Sequence, residues 1–510
     1  MAPSSTPGRI RTDASASNQE MSNGDRSLPG VVSAADEAHD RQRRATLQLL
    51  LARGVFFASA YVVSAILARA LGPTDYGIYG VIVSQLFWLE LVVHAGVPAA
   101  TLKLIADRRH HPDDVERSAR LLLVGVSGVL LLSGWVLAPG VAGLMRIPNG
   151  EMLYRVAFID LPFAALYACF EAILYAHRRF GVLAAAQISY GLFRVTAVVM
   201  LTLVGVSVDR ALLAMVLSSV GVCVLLAGLR PPRGFGASRA VIADITRYAG
   251  PMALCLIASQ VLVNLDLWSL KSLWSGEGEV IGEYVGSLNL ARTLVVIPTV
   301  QAGVLFTSVA WAAASGDQAR AVRHIQEASR FAIVIAAGAS VILGFNGSDV
   351  LSVLFSSAYA QGQRFLPLQL VAFALFALLD VFSNSLMAAG RHRVVAVVLT
   401  ATVPLVWLSN YVLIPRVGPT GAAISLVLGV AFAFAVMGII ARLHFGALFR
   451  SSTLIRALIA SSIVGLASGA VHMPGPWVLV KLVVLGVLYM LTLYLLKEIT
   501  PRDFGFRGKD

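Results

Sequence analysis

From residue 47 to residue 496 the chain reads as one apolar run after another. The runs cover 47–71, 77–98, 119–138, 153–176, 181–205, 210–229, 249–273, 283–312, 331–347, 365–389, 394–414, 420–441, 453–472 and 477–496. A helix needs about 20 apolar residues to cross a bilayer, and each run is near that length. The gaps carry turn chemistry: Gly72-Pro73-Thr74-Asp75, Pro148-Asn149-Gly150, Pro231-Pro232-Arg233-Gly234, Gly418-Pro419 and Pro474-Gly475-Pro476. In lipid only helices or closed barrels satisfy their own backbone. The pattern predicts an all-α polytopic membrane protein, an antiparallel bundle of about 14 transmembrane helices.

Composition agrees. Charged residues make up 13% of the 510, and hydrophobic residues 57%. A soluble domain carries roughly 25% charged residues, so a soluble enzyme and a disordered chain are both excluded. The net charge of +12 is explained by position. With the N-terminus in the cytoplasm, and residues at the ends of runs counted with the side they face, 29 of the 40 Lys and Arg are cytoplasmic, 7 lie on the other side and the remaining 4, Arg53, Arg69, Arg194 and Arg292, lie inside the runs. That asymmetry is the positive-inside pattern. It puts both termini in the cytoplasm and needs no nucleic-acid partner. The loop 99–120, with Lys103, Arg108, Arg109, Arg117 and Arg120, belongs to this pattern. Residues 1–46 lack the apolar core of a signal peptide and are expected to be a disordered cytoplasmic tail. Cys169, Cys223 and Cys255 all sit in apolar runs and read as small buried residues. No metal-ligand spacing or cofactor motif stands out.

An internal repeat divides the chain. Gly77-Ile78-Tyr79 follows the first run and Gly282-Glu283-Tyr284 the seventh; Leu174–Arg179 and Leu386–Arg393 match at a similar offset. Two six-helix lobes plus two C-terminal helices follow. The expected boundaries are an N-terminal lobe at 47–229, a cytoplasmic linker at 230–248, a C-terminal lobe at 249–441, two further helices within 442–496 and a tail at 497–510. Repeats of this kind place a substrate path between the halves.

The segment Leu67-Ala68-Arg69-Ala70-Leu71-Gly72-Pro73-Thr74-Asp75-Tyr76-Gly77-Ile78-Tyr79-Gly80 resembles the signature after the first helix of polysaccharide-biosynthesis flippases. These form the Wzx-like (PST) branch of the multidrug/oligosaccharidyl-lipid/polysaccharide (MOP) superfamily. Asn264-Leu265-Asp266 and Pro415-Arg416-Val417-Gly418-Pro419-Thr420-Gly421-Ala422-Ala423 add weaker matches, whereas Leu273–Gly278 departs from the family's shorter step. The resemblance covers about residues 47–496. It implies two lobes around a central cavity, export of a polyprenyl-diphosphate oligosaccharide and a place in a bacterial inner membrane. Polysaccharide polymerase and export proteins are the partners it suggests.

A charge inside a span costs a few kcal/mol and is a functional candidate by default. Arg194 lies close to mid-membrane, with Gln187 and Tyr190 on its face. Arg292 shares a face with Asn289, and Pro298 nearby is expected to kink the helix. These cationic groups suit an anionic carrier, since Arg offers bidentate contacts to phosphate. Arg53 and Glu90 lie at similar depth on neighbouring helices and are expected to pair; with His94 they form a candidate titrating gate. Asp160, Tyr167 and Glu171 share one face, suited to sugar hydroxyls. Asp266 is a candidate for Na⁺ or H⁺ binding or for pairing with Arg292, and Asp380 forms a comparable patch with Ser383 and Asn384.

Three function classes compete. The first is a flippase moving polyprenyl-diphosphate oligosaccharide by alternating access, with a lipid II flippase as a close variant. The second is a cation-coupled small-molecule or drug exporter, which would favour an acidic cavity. The intramembrane charges, four Arg against five acids, do not decide between these. A membrane polymerase or ligase is disfavoured, because the longest outside gap, 348–364, is short and no catalytic cluster stands out.

Overall fold

The computed structural model describes residues 29–107, 110–229, 238–446, 448–471, 473 and 475–499. Its helices are α1 (Pro29–Asp107), α2 (Pro112–Leu144), α3 (Gly150–Phe158), α4 (Asp160–Ala176), α5 (Phe180–Val204), α6 (Val208–Leu229), α7 (Arg239–Leu262), α8 (Leu265–Leu273), α9 (Gly278–Ala291), α10 (Thr293–Ala314), α11 (Gln318–Leu354), α12 (Leu366–Ala388), α13 (His392–Val417), α14 (Pro419–Phe445), α15 (Ser451–Ala470) and α16 (Trp477–Leu495). Among the described residues all regular structure is helical.

Each expected run is found. The first and second are the halves of α1, which breaks at Gly72 (φ 73°, ψ 171°). A positive φ is open to glycine at little cost, and Pro73 opens the second half without forfeiting a helical N–H bond. The fourth run is α3 and α4, interrupted at Ile159. The seventh is α7 and α8, bent by 48°. The eighth is α9 and α10, interrupted at Arg292 rather than at Pro298, which lies inside α10. Among the described residues, treating each bent or interrupted pair as one span and the halves of α1 as two gives fourteen spans by length and composition.

The ends of the chain differ from expectation. Residues 1–28, 230–237 and 500–510 lie outside the described residues. Residues 29–46, expected as tail, are the helical start of α1; Ala, Glu, Gln and Arg there are good helix formers. The expected linker likewise becomes helix from Arg239. Glu498, also placed in a tail, is buried. It accepts hydrogen bonds from Thr453 Oγ1 (2.8 Å) and Arg456 Nη1 (2.9 Å), tying the end of the chain to α15.

The halves of α1 pack on α5 within the first lobe and on α7 and α9 of the second. The repeat-related glycines meet here. A Cβ on Gly77 would lie 2.9 Å from Gly282 N, and one on Gly282 only 1.9 Å from Pro73 O. The backbones touch, so glycine is required. Around this point Arg69 donates from Nε to Leu354 O (3.1 Å) and from Nη2 to Val353 O, while Tyr359 Oη donates to Ala68 O (2.8 Å). These contacts clasp the lobes at one end of the bundle. At the other end Gly96 lies against Ala249, and His110 Nε2 sits 3.0 Å from Asp244 Oδ2. The additional helices α15 and α16 cover α11, where Asn346 Nδ2 donates to Ser468 Oγ (2.9 Å) and Tyr489 Oη to Val334 O (2.8 Å).

Gly282→Ala is expected to force the lobes apart and destabilise the protein by about 1–3 kcal/mol. Gly54→Ala is the control, since its added Cβ meets nothing within 4 Å. Thermal unfolding of the purified proteins checks this: the midpoint should fall for the first variant and hold or rise for the second.

Candidate functional site

Between the lobes lies a cavity of about 370 Å³. The first lobe contributes Tyr61, Ser64, Tyr76, Tyr79 and Ser84 from α1 and Arg194 from α5. The second contributes Gln260, Asn264, Asn289 and Arg292, with Phe373 and Phe376 of α12 among the apolar lining. Two guanidinium groups therefore face one space from opposite lobes. No carboxylate is among the lining residues.

Helix breaks hold Arg292. It stands where α9 gives way to α10, and its Nη2 donates to Asn264 Oδ1 (2.6 Å) and Val263 O (3.4 Å) at the α7–α8 bend. A bend leaves carbonyls without helical partners, and the guanidinium satisfies one of them. Asn264 is fixed in turn by Nδ2 donating to Gln260 O (2.7 Å). Across the interface Asn289 Nδ2 donates to Tyr76 Oη (3.0 Å), Tyr61 Oη to Asn289 O (3.4 Å), and Ser64 bonds Tyr76. The cavity wall is thus a hydrogen-bonded polar belt with fixed donors.

Other candidates sit elsewhere. Gln187 and Tyr190 share a helix with Arg194 but do not line the cavity. Gln187 Nε2 donates to Glu171 Oε1 (3.0 Å), as does Tyr167 Oη (3.0 Å), and Tyr190 stacks on Tyr167 and Phe56 at 5.3 and 5.8 Å. That cluster packs α1, α4 and α5 inside the first lobe. Asp160 shares α4 with Tyr167 and Glu171 but lies about two turns before them, at the start of the helix, where its carboxyl interacts with Ser219 of α6 and Glu90 of α1. The expected Arg53–Glu90 pair does not form. Arg53 Nη2 donates to Tyr175 Oη (3.2 Å) instead, and Arg194 interacts with Glu90 and Asp160 only electrostatically. His94 Nδ1 lies 3.0 Å from its own helix's Glu90 O.

Asp266 is fully buried and takes its hydrogen bond from Tyr284 Oη, with Arg292 near enough to interact electrostatically but bonded to Asn264. Asp380 also stays off the cavity; Asn384 Nδ2 donates to its backbone carbonyl (2.9 Å). Among the described residues no group of three or more His, Cys, Asp and Glu is placed to hold a metal. Tyr61, Tyr76 and Tyr79 are cavity residues that the search for charges overlooked. The repeated Gly-x-Tyr pattern was the available signal for Tyr79.

Two lobes of six spans around a central cavity, with two appended helices, define an all-α polytopic membrane protein. The chain is similar in fold to a solved lipid II flippase MurJ in an inward closed conformation, with 12% identity, 88% of this chain and 97% of that chain covered, and a TM-score of 0.68. It is similar to a multidrug resistance MATE family transporter in its inward-facing conformation (15% identity, 79% and 98% covered, TM-score 0.65) and to an outward-facing one (17%, 79% and 96%, 0.59). No curated protein matches the chain. The chain belongs to the polysaccharide biosynthesis protein family, whose sequence profile matches residues 43–311.

If Asn264 presents Arg292 to the cavity, Asn264→Asp should hurt anion binding more than Asn264→Ala, because a carboxylate would neutralise the guanidinium it holds. Losing a hydrogen bond to a charged group costs about 1.5–3 kcal/mol, so affinity should fall about tenfold or more. Calorimetric titration of the purified protein with inorganic pyrophosphate measures the order.

Proposed function

We propose that this protein is a flippase that carries polyprenyl-diphosphate-linked oligosaccharide units from the cytoplasmic to the periplasmic leaflet of a bacterial inner membrane. The observation that carries this reading is the charge of the cavity: Arg194 and Arg292 line it from the two lobes, and among the described residues no carboxylate does. A diphosphate has oxygens for both guanidinium groups, and binding it draws the lobes together. The Asn and Tyr side chains of the belt suit sugar hydroxyls. The apolar tail would stay in lipid, so only the headgroup needs a polar path.

Family membership supports a substrate of polysaccharide synthesis. A drug exporter for organic cations needs acidic lining, and the lining residues offer the opposite sign. With the N-terminus in the cytoplasm, the end clasped by Arg69, Gly77 and Gly282 faces the periplasm. The cavity would then fill from the cytoplasmic side, and the clasp would part to release the load. At about 370 Å³ the cavity lies at the small end of drug-sized sites, roughly 300–1,000 Å³. A whole repeat unit requires the lobes to separate. Asp266, Glu90, His94 and Asp380 stand outside the cavity as candidates for ion coupling, by Na⁺ or H⁺.

Mass spectrometry of membrane lipids from a strain lacking the gene tests this. One complete diphosphate-linked repeat unit should accumulate, and the wild-type gene should clear it while Arg194→Ala and Arg292→Ala leave it. Accumulated lipid II would reassign the cargo. An unchanged lipid-linked pool with altered resistance to organic cations would overturn the reading.

A further inference from the structure

Helix α7 serves both lobes. Its second half belongs to the second lobe: Cys255 Sγ donates to His392 O (3.3 Å) at the start of α13, and Ala258 and Leu262 are buried in the main core. Its first half, residues 239–249, lies on the first lobe. Val241, Ile245 and Ala249 recur at every fourth position and share one helical face. That face is buried in an apolar cluster with Val97 of α1, Val115 of α2 and Ala165 of α4, and every buried member of the cluster outside α7 comes from the first lobe. Polar contacts hold the same segment. Ser238 N donates to Ser118 Oγ (3.2 Å), and Asp244 Oδ2 is 3.0 Å from His110 Nε2. A Cβ on Gly96 would fall 2.9 Å from Ala249 O, so α1 and α7 meet at the backbone. On the opposite face Ala243, Thr246 and Arg247 are exposed, and the second lobe does not cover them.

The two halves meet at Gly250-Pro251. Glycine and proline are the residues least suited to a helix interior, and Pro251 has no N–H for the carbonyl one turn earlier. Packing gives no reason for the glycine. Gly250 is exposed, and a Cβ there would meet nothing within 4 Å. Gly77, Gly96 and Gly282 differ, because close backbone contacts require them. A weak point that packing does not demand therefore lies where α7 passes from one lobe to the other.

We propose that residues 239–249 move as part of the first lobe and that Gly250-Pro251 is the pivot on which the second lobe turns. This rests on the alternating-access part of the reading above and goes beyond it by naming the joint. A segment that swung away from the first lobe would bring Val241, Ile245 and Ala249 into water, at the cost of their buried apolar area. Turning at the pivot exposes none of them. Beyond the pivot α7 carries Gln260 to the cavity and ends at the bend where Asn264 holds Arg292. Movement at Gly250-Pro251 therefore shifts Arg292 relative to Arg194, while the first half of α7 stays seated.

The test uses full-length protein in lipid nanodiscs, spin-labelled in pairs at exposed positions. Ala243→Cys/Arg179→Cys measures the first half of α7 against the first lobe, and Ala243→Cys/Arg393→Cys measures it against the second. The native Cys169, Cys223 and Cys255 are buried, so the label goes to the added cysteines. Distances are read by pulsed electron–electron double resonance, with and without farnesyl diphosphate. The first pair should give one narrow distribution in both conditions. The second should give a wider distribution or two peaks. Adding Gly250→Ala/Pro251→Ala should narrow the second and leave the first unchanged. If that double variant does not fold, Gly250→Ala alone serves, with partial narrowing and a raised thermal midpoint expected. A first pair as variable as the second would overturn the proposal, as would a second pair whose width ignores the straightened helix. Narrow distributions for both pairs in every condition would overturn lobe movement and the pivot with it. Distances that behave as expected, in a protein whose deletion strain accumulates no lipid-linked unit, would sink the cargo assignment and support the pivot.

Discussion

A charge inside an apolar bundle must be solvated by the protein itself, and the interior of this one follows from that constraint. Lipid offers no water to a buried guanidinium or carboxylate. Several ionisable groups in the described spans therefore have a local arrangement around them. Asp266 has the Tyr284 phenol, Arg292 has Asn264 and a carbonyl freed at a helix bend, and Glu171 has Tyr167 and Gln187. Glu90 has Asp160, and Asp160 has Ser219 and Glu90. These arrangements set aside the acids inside the lobes and leave the two arginines facing the cavity. The sign of the cavity is therefore produced by where the acids are held, since the chain's intramembrane charges are nearly balanced in number.

The helix breaks serve the same constraint. Straight spans would bury every carbonyl in the helical ladder and offer nothing to Arg292. The bend at Val263–Asn264 exposes acceptors at mid-bundle, and the interruption at Ile159 breaks the fourth span just before Asp160. Irregular backbone at membrane depth is tolerated where protein buries it or where it lines a cavity, and both cases occur here. The repeat-related positions show how the lobes diverged. Tyr79 lines the cavity, while its counterpart Tyr284 is fully buried on Asp266.

The number of spans, the repeat and the family were legible in the sequence because each is written locally, in run length, turn residues or a contiguous motif. Arg194, Arg292 and Asn289 were legible as cavity residues because depth along a span can be counted. Partners across helices were not. Arg53 and Glu90 match in depth, but rotation of each helix about its own axis decides which side chains meet. That rotation put Tyr175 beside Arg53 and Asp160 beside Glu90. Asp160, Tyr167 and Glu171 do lie on one unbroken helix, but about two turns separate the first from the others, and the partners each meets come from different neighbouring helices.

The clasp between the lobes has the chemistry of a contact that can part. Arg69 is exposed and bonds to the last carbonyls of α11, which are neutral acceptors at a helix end. If the lobes separate there, the arginine and the carbonyls both find water, so no buried charge is stranded. The Gly77–Gly282 contact is backbone against backbone without interlocking side chains. Such a surface fits closely when shut and offers no side-chain knobs to withdraw when it opens. The acids that would hold the lobes irreversibly, had they crossed the interface to the arginines, are instead kept within one lobe. Glu90, Asp160 and Arg194 all belong to the first, and Asp266 and Arg292 to the second. Apart from the His110–Asp244 contact at the far end, the charged groups inside the spans thus interact within each lobe separately, and the interface is left to weaker polar bonds and close packing, a division of strength that suits a rocking pair of rigid bodies.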